Sequence, residues 1–259
     1  MLDEKLVFLV SLKSRSSSHD WFSVVANLRN TLRSIEASVD RRFEVVIAGH
    51  DDPREIDPEL PAYEFLKATY SPPTDPKRGG HDKYRKRRIC GAWLRSRIKK
   101  SVRVMFLDAD DLVHRNLVST VLEHPKLVAF NLEEGYRLDV GLRELEHKKD
   151  HFYMLCGSSF VIPFKRDDLP SKPSDKTAFF SRFTRHQLSK DLAAGHGIEV
   201  CTLGYPGVVY LINHSDSLER QLGKKKRIGE DRSLPWETAS AIVKEQFALD
   251  LTDGPGEIE

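Results

Sequence analysis

Three carboxylates, Asp108, Asp110 and Asp111, close the apolar run Val102-Arg103-Val104-Met105-Phe106-Leu107 within four residues. A strand that ends this way delivers hard oxygen ligands at the edge of a sheet. Mg²⁺ or Mn²⁺ is held in such places by one or two carboxylates together with the phosphates of a substrate. Asp is also a frequent helix-starting residue, so a solvated strand end with an N-cap uses the same letters. The position of the run argues for the ion: it lies in mid-chain, after a basic segment, in an alternating β/α pattern.

The elements that must position these carboxylates follow from hydrophobic spacing. Residues 6–12 are apolar at nearly every position, as in a strand covered on both faces. Trp21, Val24, Val25, Leu28, Leu32 and Ile35 recur at helical spacing. Residues 43–48 read as a second buried strand that ends at Gly49-His50-Asp51-Asp52-Pro53, and 63–68 as a shorter third. The Pro- and Gly-rich stretch 71–80 is a loop. Residues 81–100 are helical, with Ile89, Trp93 and Leu94 inward, and the strand ending at Asp108 follows. The order β-α-β-β-loop-α-β predicts an open α/β sheet whose site lies beyond the carboxyl ends of its strands.

The second half is less regular. The pattern predicts strands at 127–133, 151–164 (interrupted by Gly157-Ser158-Ser159) and 208–212. It predicts helices at 179–194 and from Pro235 to before Asp253, with a polar excursion at 165–177. Right-handed crossovers would bring four strand ends, 11–15, 50–52, 108–111 and 213–216, to one edge.

Composition bounds the partners. The 259-residue chain is 39% hydrophobic and carries 41 Lys plus Arg against 39 Asp plus Glu, so no global charge calls for a polyanion. Three cysteines without a CxxC pair indicate neither a disulfide framework nor a zinc site. The apolar run at 6–10 is too short for a signal core and follows Asp3 and Glu4, and no run approaches the roughly 20 residues of a membrane span. The expectation is a cytoplasmic protein, with contact at the inner face of a membrane left open.

On the strand 6–12, the second strand ending at Asp51-Asp52, the basic helix 83–97 and Phe106-Leu107-Asp108-Ala109-Asp110, the chain resembles the GT-A fold glycosyltransferases that use nucleotide sugars, in particular bacterial family-2-like enzymes. The apolar strand followed by Asp-x-Asp is that fold's signature, and the likeness covers the first half better than the second. It implies a single α/β domain with an open, mostly parallel twisted sheet flanked by helices. Residues 1–111 would form a nucleotide-binding half, and 112–259 an irregular acceptor-side half with a C-terminal tail. It implies Mn²⁺ or Mg²⁺ as cofactor, with Asp110 as direct ligand, Asp108 on the ribose or on the ion through water, Asp111 in support, and His214 as third ligand. A lone His is more often structural, and the acidic cluster is what raises His214 to a ligand.

The same resemblance sets Ser11, Lys13 and Asp51 on the nucleotide, and turns Lys83 and Arg87, one helical turn apart, toward base and pyrophosphate. Gly157 and Ser158 would line the donor-sugar or acceptor site, although a β-bulge accounts for them as well. The acceptor hydroxyl needs a general base, for which Asp191 and His186 are the candidates. The Glu-Asp pair that usually heads that helix is missing, which leaves the base and the stereochemical course open. The basic run 224–227 is either a loop closing over the pyrophosphate, or a solvated turn or patch meeting anionic lipid. The implied partners are a nucleoside-diphosphate sugar and a saccharide or lipid-linked acceptor, as in surface polysaccharide synthesis, and no nucleic acid. Two other readings stand beside this one. A nucleic-acid-binding module would use the basic run 83–88. A sugar nucleotidyltransferase would share the fold, but its glycine-rich basic signature near the first strand is absent.

Overall fold

A computed structural model describes residues 2–75, 78–217, 227–228 and 232–251. The strands are β1 (Leu6–Ser11), β2 (Phe43–Gly49), β3 (Glu64–Lys67), β4 (Ser101–Leu107), β5 (Leu112–Val113), β6 (Val128–Asn131), β7 (Gly135–Asp139), β8 (Glu144–Lys148), β9 (Phe160–Lys165), β10 (Glu199–Thr202) and β11 (Val208–Leu211). The helices are α1 (Trp21–Glu36), α2 (Gly79–Arg97), α3 (Leu117–Glu123), α4 (Ser189–Gly195) and α5 (Trp236–Phe247). No helix among the described residues is long and apolar enough to cross a membrane.

The large sheet runs in the order β10-β6-β9-β4-β1-β2-β3. Only β9 is antiparallel to its neighbours, β4 and β6, so the other six strands share one direction and their carboxyl ends share one edge. The sheet is covered on both faces, and β1 shows how. Leu6, Phe8 and Val10 pack with α1 through Val24, Val25, Leu28 and Leu32. Val7 and Leu9, on the other face, pack with Cys90 and Leu94 of α2. Alternation of side chains along a strand places these two sets on opposite faces, which explains the unbroken apolar run. Asp20 caps α1, its carboxylate accepting the Phe22 N–H at 3.0 Å.

The second half departs from the sequence pattern in three places. Residues 208–211 do not extend the large sheet; β11 joins a second sheet of order β5-β11-β7-β8. The apolar face of that sheet (Tyr136, Leu138, Leu145, Val209) is buried against Ala239, Val243 and Phe247 of α5. The segment 179–194 is two short 3₁₀ turns, Phe179–Arg182 and His186–Leu188, followed by α4. The helix is broken because the carbonyls of Phe183 and Thr184 accept from the side chains of Arg87 and Tyr84 on α2, and not from the next helical turn. Lastly, 151–164 is extended only from Phe160, since Cys156, Ser158 and Ser159 are buried in polar contacts described below.

His114 stands where the two sheets meet. It is 7% exposed, lies between the rings of Tyr205 and Phe247 at 4.6 and 5.4 Å, and its Nδ1 accepts the Asn116 N–H at 3.1 Å. Burial, with Arg115 adding to it, lowers its pKa from 6.5 to about 4. A histidine depressed in the fold contributes stability above its unfolded value that is lost as pH falls through the folded one. Between pH 6.5 and 4 this amounts to about 3 kcal/mol. Urea unfolding at pH 7 and pH 4 should show stability falling less steeply in His114→Gln than in the wild type; equal pH slopes would exclude this role.

Candidate active site

The order β3-β2-β1-β4 reverses direction at β1: the chain builds outward to β2 and β3 on one side, then returns to β4 on the other. In open α/β sheets ligands bind in the crevice beyond the carboxyl ends at such a switch point. Here the ends of β1 and β4 deliver Ser11 to Lys13 and Asp108 to Asp110, and the N-terminal turn of α2 approaches with Gly79 and Gly80. Together with the segment after β11 they enclose a cavity of about 470 Å³.

Each carboxylate at the end of β4 is answered differently. Asp111 is fully buried. The Asp108 N–H donates to Ser158 Oγ at 2.9 Å, and that hydroxyl donates to Asp111 Oδ2 at 2.5 Å, as does the Cys156 thiol at 3.3 Å. Its Oδ1 has no partner among the described residues. Burial, with the charges of Asp110 and Asp108 next, pushes Asp111 well above the ordinary carboxylate range. It braces the turn from behind through the Ser158 hydroxyl and the Cys156 thiol, and it lies outside the cavity lining. Asp108 lies on the cavity wall, its Oδ1 against Lys83 Nζ. Burial acts to raise its pKa, but Lys83 and Arg87 outweigh that and hold it below the usual value.

Asp110 meets His214: its Oδ2 lies 2.6 Å from Nε2 of the imidazole. The bend that presents His214 depends on Asn213, which takes the left-handed conformation with φ 61° and donates from Nδ2 to Asp139 Oδ2 at 2.6 Å. Asn is among the few residues that adopt this conformation readily.

The donor set can be tested against a divalent cation. No three acidic, His or Cys side chains converge as a ready metal cage among the described residues. Asp110 and His214 give one oxygen and one nitrogen side by side on the wall, with Asp108 beside them turned to Lys83. Such an open set fits an ion that completes its coordination with phosphate oxygens, the habit of Mg²⁺ in nucleotide sites.

Electrostatics of the wall point the same way. The described lining residues include five aspartates, at 75, 82, 108, 110 and 216, and three lysines, at 13, 83 and 86. Each lysine is already engaged. Lys13 Nζ donates to Asp216 Oδ1 at 2.8 Å, and the same carboxylate accepts the backbone N–H groups of His19 and Asp20. Lys86, 1% exposed, donates to the Leu12 carbonyl at 2.7 Å and to Asp82 at 2.5 Å. A dianionic ligand entering this surplus of carboxylate needs positive charge brought with it.

The remaining expected residues divide. Ser11, Lys13, Lys83, Gly157 and His186 line the cavity with Asp108, Asp110 and His214. Ser158 is fully buried behind the wall as the brace already described. Arg87 is turned away from the cavity: it lies over the Phe106 ring at 4.4 Å and donates to the Phe183 carbonyl. It reaches a bound nucleotide only through its field on Asp108. Asp51 is outside the lining, its carboxylate accepting the Arg15 N–H at 2.8 Å. Asp191 is exposed on α4 and also lies outside. Of the basic run 224–227, residues 224–226 fall outside the described residues.

The run 83–88 forms no continuous basic face. Lys86 and Arg87 are buried, Arg85 stacks on Tyr70 at 3.4 Å, and Arg88 donates to the Pro173 carbonyl. Sequence reasoning did not single out Asp82, Lys86 or Asp216. The spacing of Asp82 and Lys86, four residues apart, was the available signal for the first pair; nothing local marks Asp216 as the partner of Lys13.

No family model and no curated protein matches the chain. Solved structures similar to it include a proposed nucleotide-diphospho-sugar transferase from Desulfovibrio desulfuricans G20, at 11% identity and TM-score 0.36, covering 93% of this chain and 96% of that one. Another is a CMP:2-keto-3-deoxy-manno-octonic acid synthetase complexed with CTP, at 10% identity and TM-score 0.35, covering 85% and 96%. Likenesses this weak carry no weight on function, which is argued from geometry.

The upward shift of Asp111 has a measurable sign. A carboxyl raised in the fold favours the native state at low pH, and that contribution is lost as pH rises from the unfolded value toward the folded one. Asp111→Asn keeps an acceptor for Ser158 and carries no charge. In urea at pH 8 it should be at least as stable as the wild type; a loss of more than about 3 kcal/mol, the cost of breaking a buried charged pair, would show Asp111 to be ionised.

Proposed function

We propose that the protein is a divalent-cation-dependent glycosyltransferase that moves a sugar from a nucleoside-diphosphate donor to a hydroxyl of a saccharide or lipid-linked acceptor. The observation that carries this reading is the approach of His214 to Asp110, 104 positions away in the chain, beside Asp108 at the switch point of the sheet. Asp110 and His214, joined by Asp108, would hold Mn²⁺ or Mg²⁺. Bound there, the ion would neutralise the diphosphate as the glycosidic bond breaks.

The chain's own groups fill the other roles. Ser11 and Lys13, at the end of β1, face the nucleotide, and Lys83 faces its phosphates. Gly157 keeps the wall shallow beside Asp108: a Cβ there would stand 3.0 Å from Asp108 Oδ2. Of the two candidate bases, His186 is the one on the cavity wall. Burial lowers its pKa below 6.5, so at neutral pH the imidazole is free to take the proton of an attacking hydroxyl. Met154 and Leu188, both about half exposed, lie on the two turns joined by His186 and offer an apolar rim to a sugar face or a lipid-linked acceptor. Surface polysaccharide synthesis is a setting that suits such an acceptor.

The test is a thermal-shift measurement with UDP, GDP and CDP, each with and without Mn²⁺. At a nucleotide concentration about a hundred times its Kd, binding stabilises by about 2.7 kcal/mol, or roughly 5–10 °C in a domain of this size. The expected result is a shift with one nucleotide that requires Mn²⁺ and vanishes in Asp110→Ala with the fold intact. Equal shifts without the ion, or in Asp110→Ala, would contradict the reading.

A further inference from the structure

The three lysines of the cavity wall are not equally fixed. Lys86 is sealed, 1% exposed, between a carbonyl and Asp82. Lys13 sits on Asp216, whose carboxylate is 2% exposed and bound by two backbone N–H groups. Lys83 is about as exposed as Lys13, 31% against 27%, but its partner differs: the Asp108 side chain is 27% exposed on the cavity wall, where that of Asp216 is 2% exposed. Gly157 keeps this pair clear, because a Cβ there would lie 3.0 Å from Asp108 Oδ2 and 3.5 Å from Lys83 Nζ.

Lys83 therefore covers the one carboxylate missing from a three-donor set with Asp110 and His214. An ammonium on Oδ1 and a divalent cation on the same carboxylate would be like charges close together, so each weakens the other's hold on Asp108. The long stem of Lys83 begins on the first turns of α2, whose N-terminal Gly79 and Gly80 also line the cavity. An anion bound in front of that turn is within its reach.

Resting on the donor reading above, we propose that Lys83 is an exchangeable counter-ion: it competes with the divalent cation for Asp108, and it transfers to the diphosphate when ion and nucleotide bind together. No covalent step is involved. The ion gains a third protein ligand, the phosphate gains an ammonium, and neither is offered in full to one ligand alone. Ion and nucleotide then bind cooperatively, each raising the other's affinity by the same factor, as linkage requires. Lys83 acts on the ion as a positioning residue and on the nucleotide as a direct contact.

The experiment is calorimetric titration of the full chain with Mn²⁺ alone, with UDP or GDP alone, and with Mn²⁺ at saturating nucleotide, corrected for the complex the two form in solution. Wild type is compared with Lys83→Met, Lys83→Arg and, as a control for loss of charge elsewhere on the wall, Lys13→Met. The coupling factor in the wild type is expected to be about tenfold or more. In Lys83→Met, Mn²⁺ alone should bind several-fold more tightly, the nucleotide alone more weakly, and the coupling factor should fall several-fold, to the part that direct ion–phosphate coordination supplies. Lys83→Arg should retain the coupling, and Lys13→Met should not tighten Mn²⁺.

If Lys83→Met leaves Mn²⁺ affinity and coupling unchanged, or matches Lys13→Met, the exchange is wrong while the donor reading stands. If wild type binds no nucleotide with Mn²⁺, both fall. Unfolding midpoints of the variants, measured in parallel, show whether each is folded; should Lys83→Met not fold, Lys83→Gln takes its place with the same expected signs.

Discussion

A strand covered on both faces cannot carry carboxylates along its length, so β4 releases its three at the carboxyl end, and the site is organised by how each is neutralised. Asp111, fully buried, is met by the Ser158 hydroxyl and the Cys156 thiol. Asp108 takes the ammonium of Lys83, and Asp110 takes the imidazole of His214. Three separate parts of the chain meet at this one turn: the loop before β9 through Ser158 and Cys156, α2 through Lys83, and the segment after β11 through His214.

The same charge balance shapes the cavity. Its described wall holds more aspartates than lysines, and the lysines are spent on internal pairs. Such a surface is poorly suited to an anion by itself and well suited to an anion accompanied by a cation. The basic run on α2, the strongest local charge in the sequence, does not reverse this. Its members are engaged by carbonyls, by the rings of Tyr70 and Phe106, and by two aspartates. The result is a cavity wall on which no described lysine is left without a carboxylate or carbonyl partner.

The first half of the molecule was legible because its signals are local. An unbroken apolar run means a strand buried on both faces, and Leu6 to Val10 is one; an apolar stripe at helical spacing means a helix on the sheet, and Trp21 to Ile35 is one. The acidic turn, its strand and its place in the order of elements were readable from the same signals. What escaped was fixed by partners distant in sequence. Phe183 and Thr184 leave the helical path because Arg87 and Tyr84, about a hundred residues earlier, take their carbonyls. β7 and β8 are short, with charged residues such as Arg137 and Glu146 that pair with each other in the sheet at 2.6 Å, and no alternation betrays them. Arg87 carried the right charge in the right helix, one turn from Lys83, but the aromatic cluster of Phe106, Phe180 and Phe183 claimed it.

The chemistry of the cavity turns on where a cation sits. Crystals of the full chain soaked with Mn²⁺ and the nucleoside diphosphate it favours would locate the ion by its anomalous scattering. One peak within coordination distance of Asp110 and His214, touching phosphate oxygens, with Lys83 moved off Asp108, is the predicted result. A peak elsewhere, or nucleotide bound in the cavity with no ion and Lys83 still on Asp108, would contradict it.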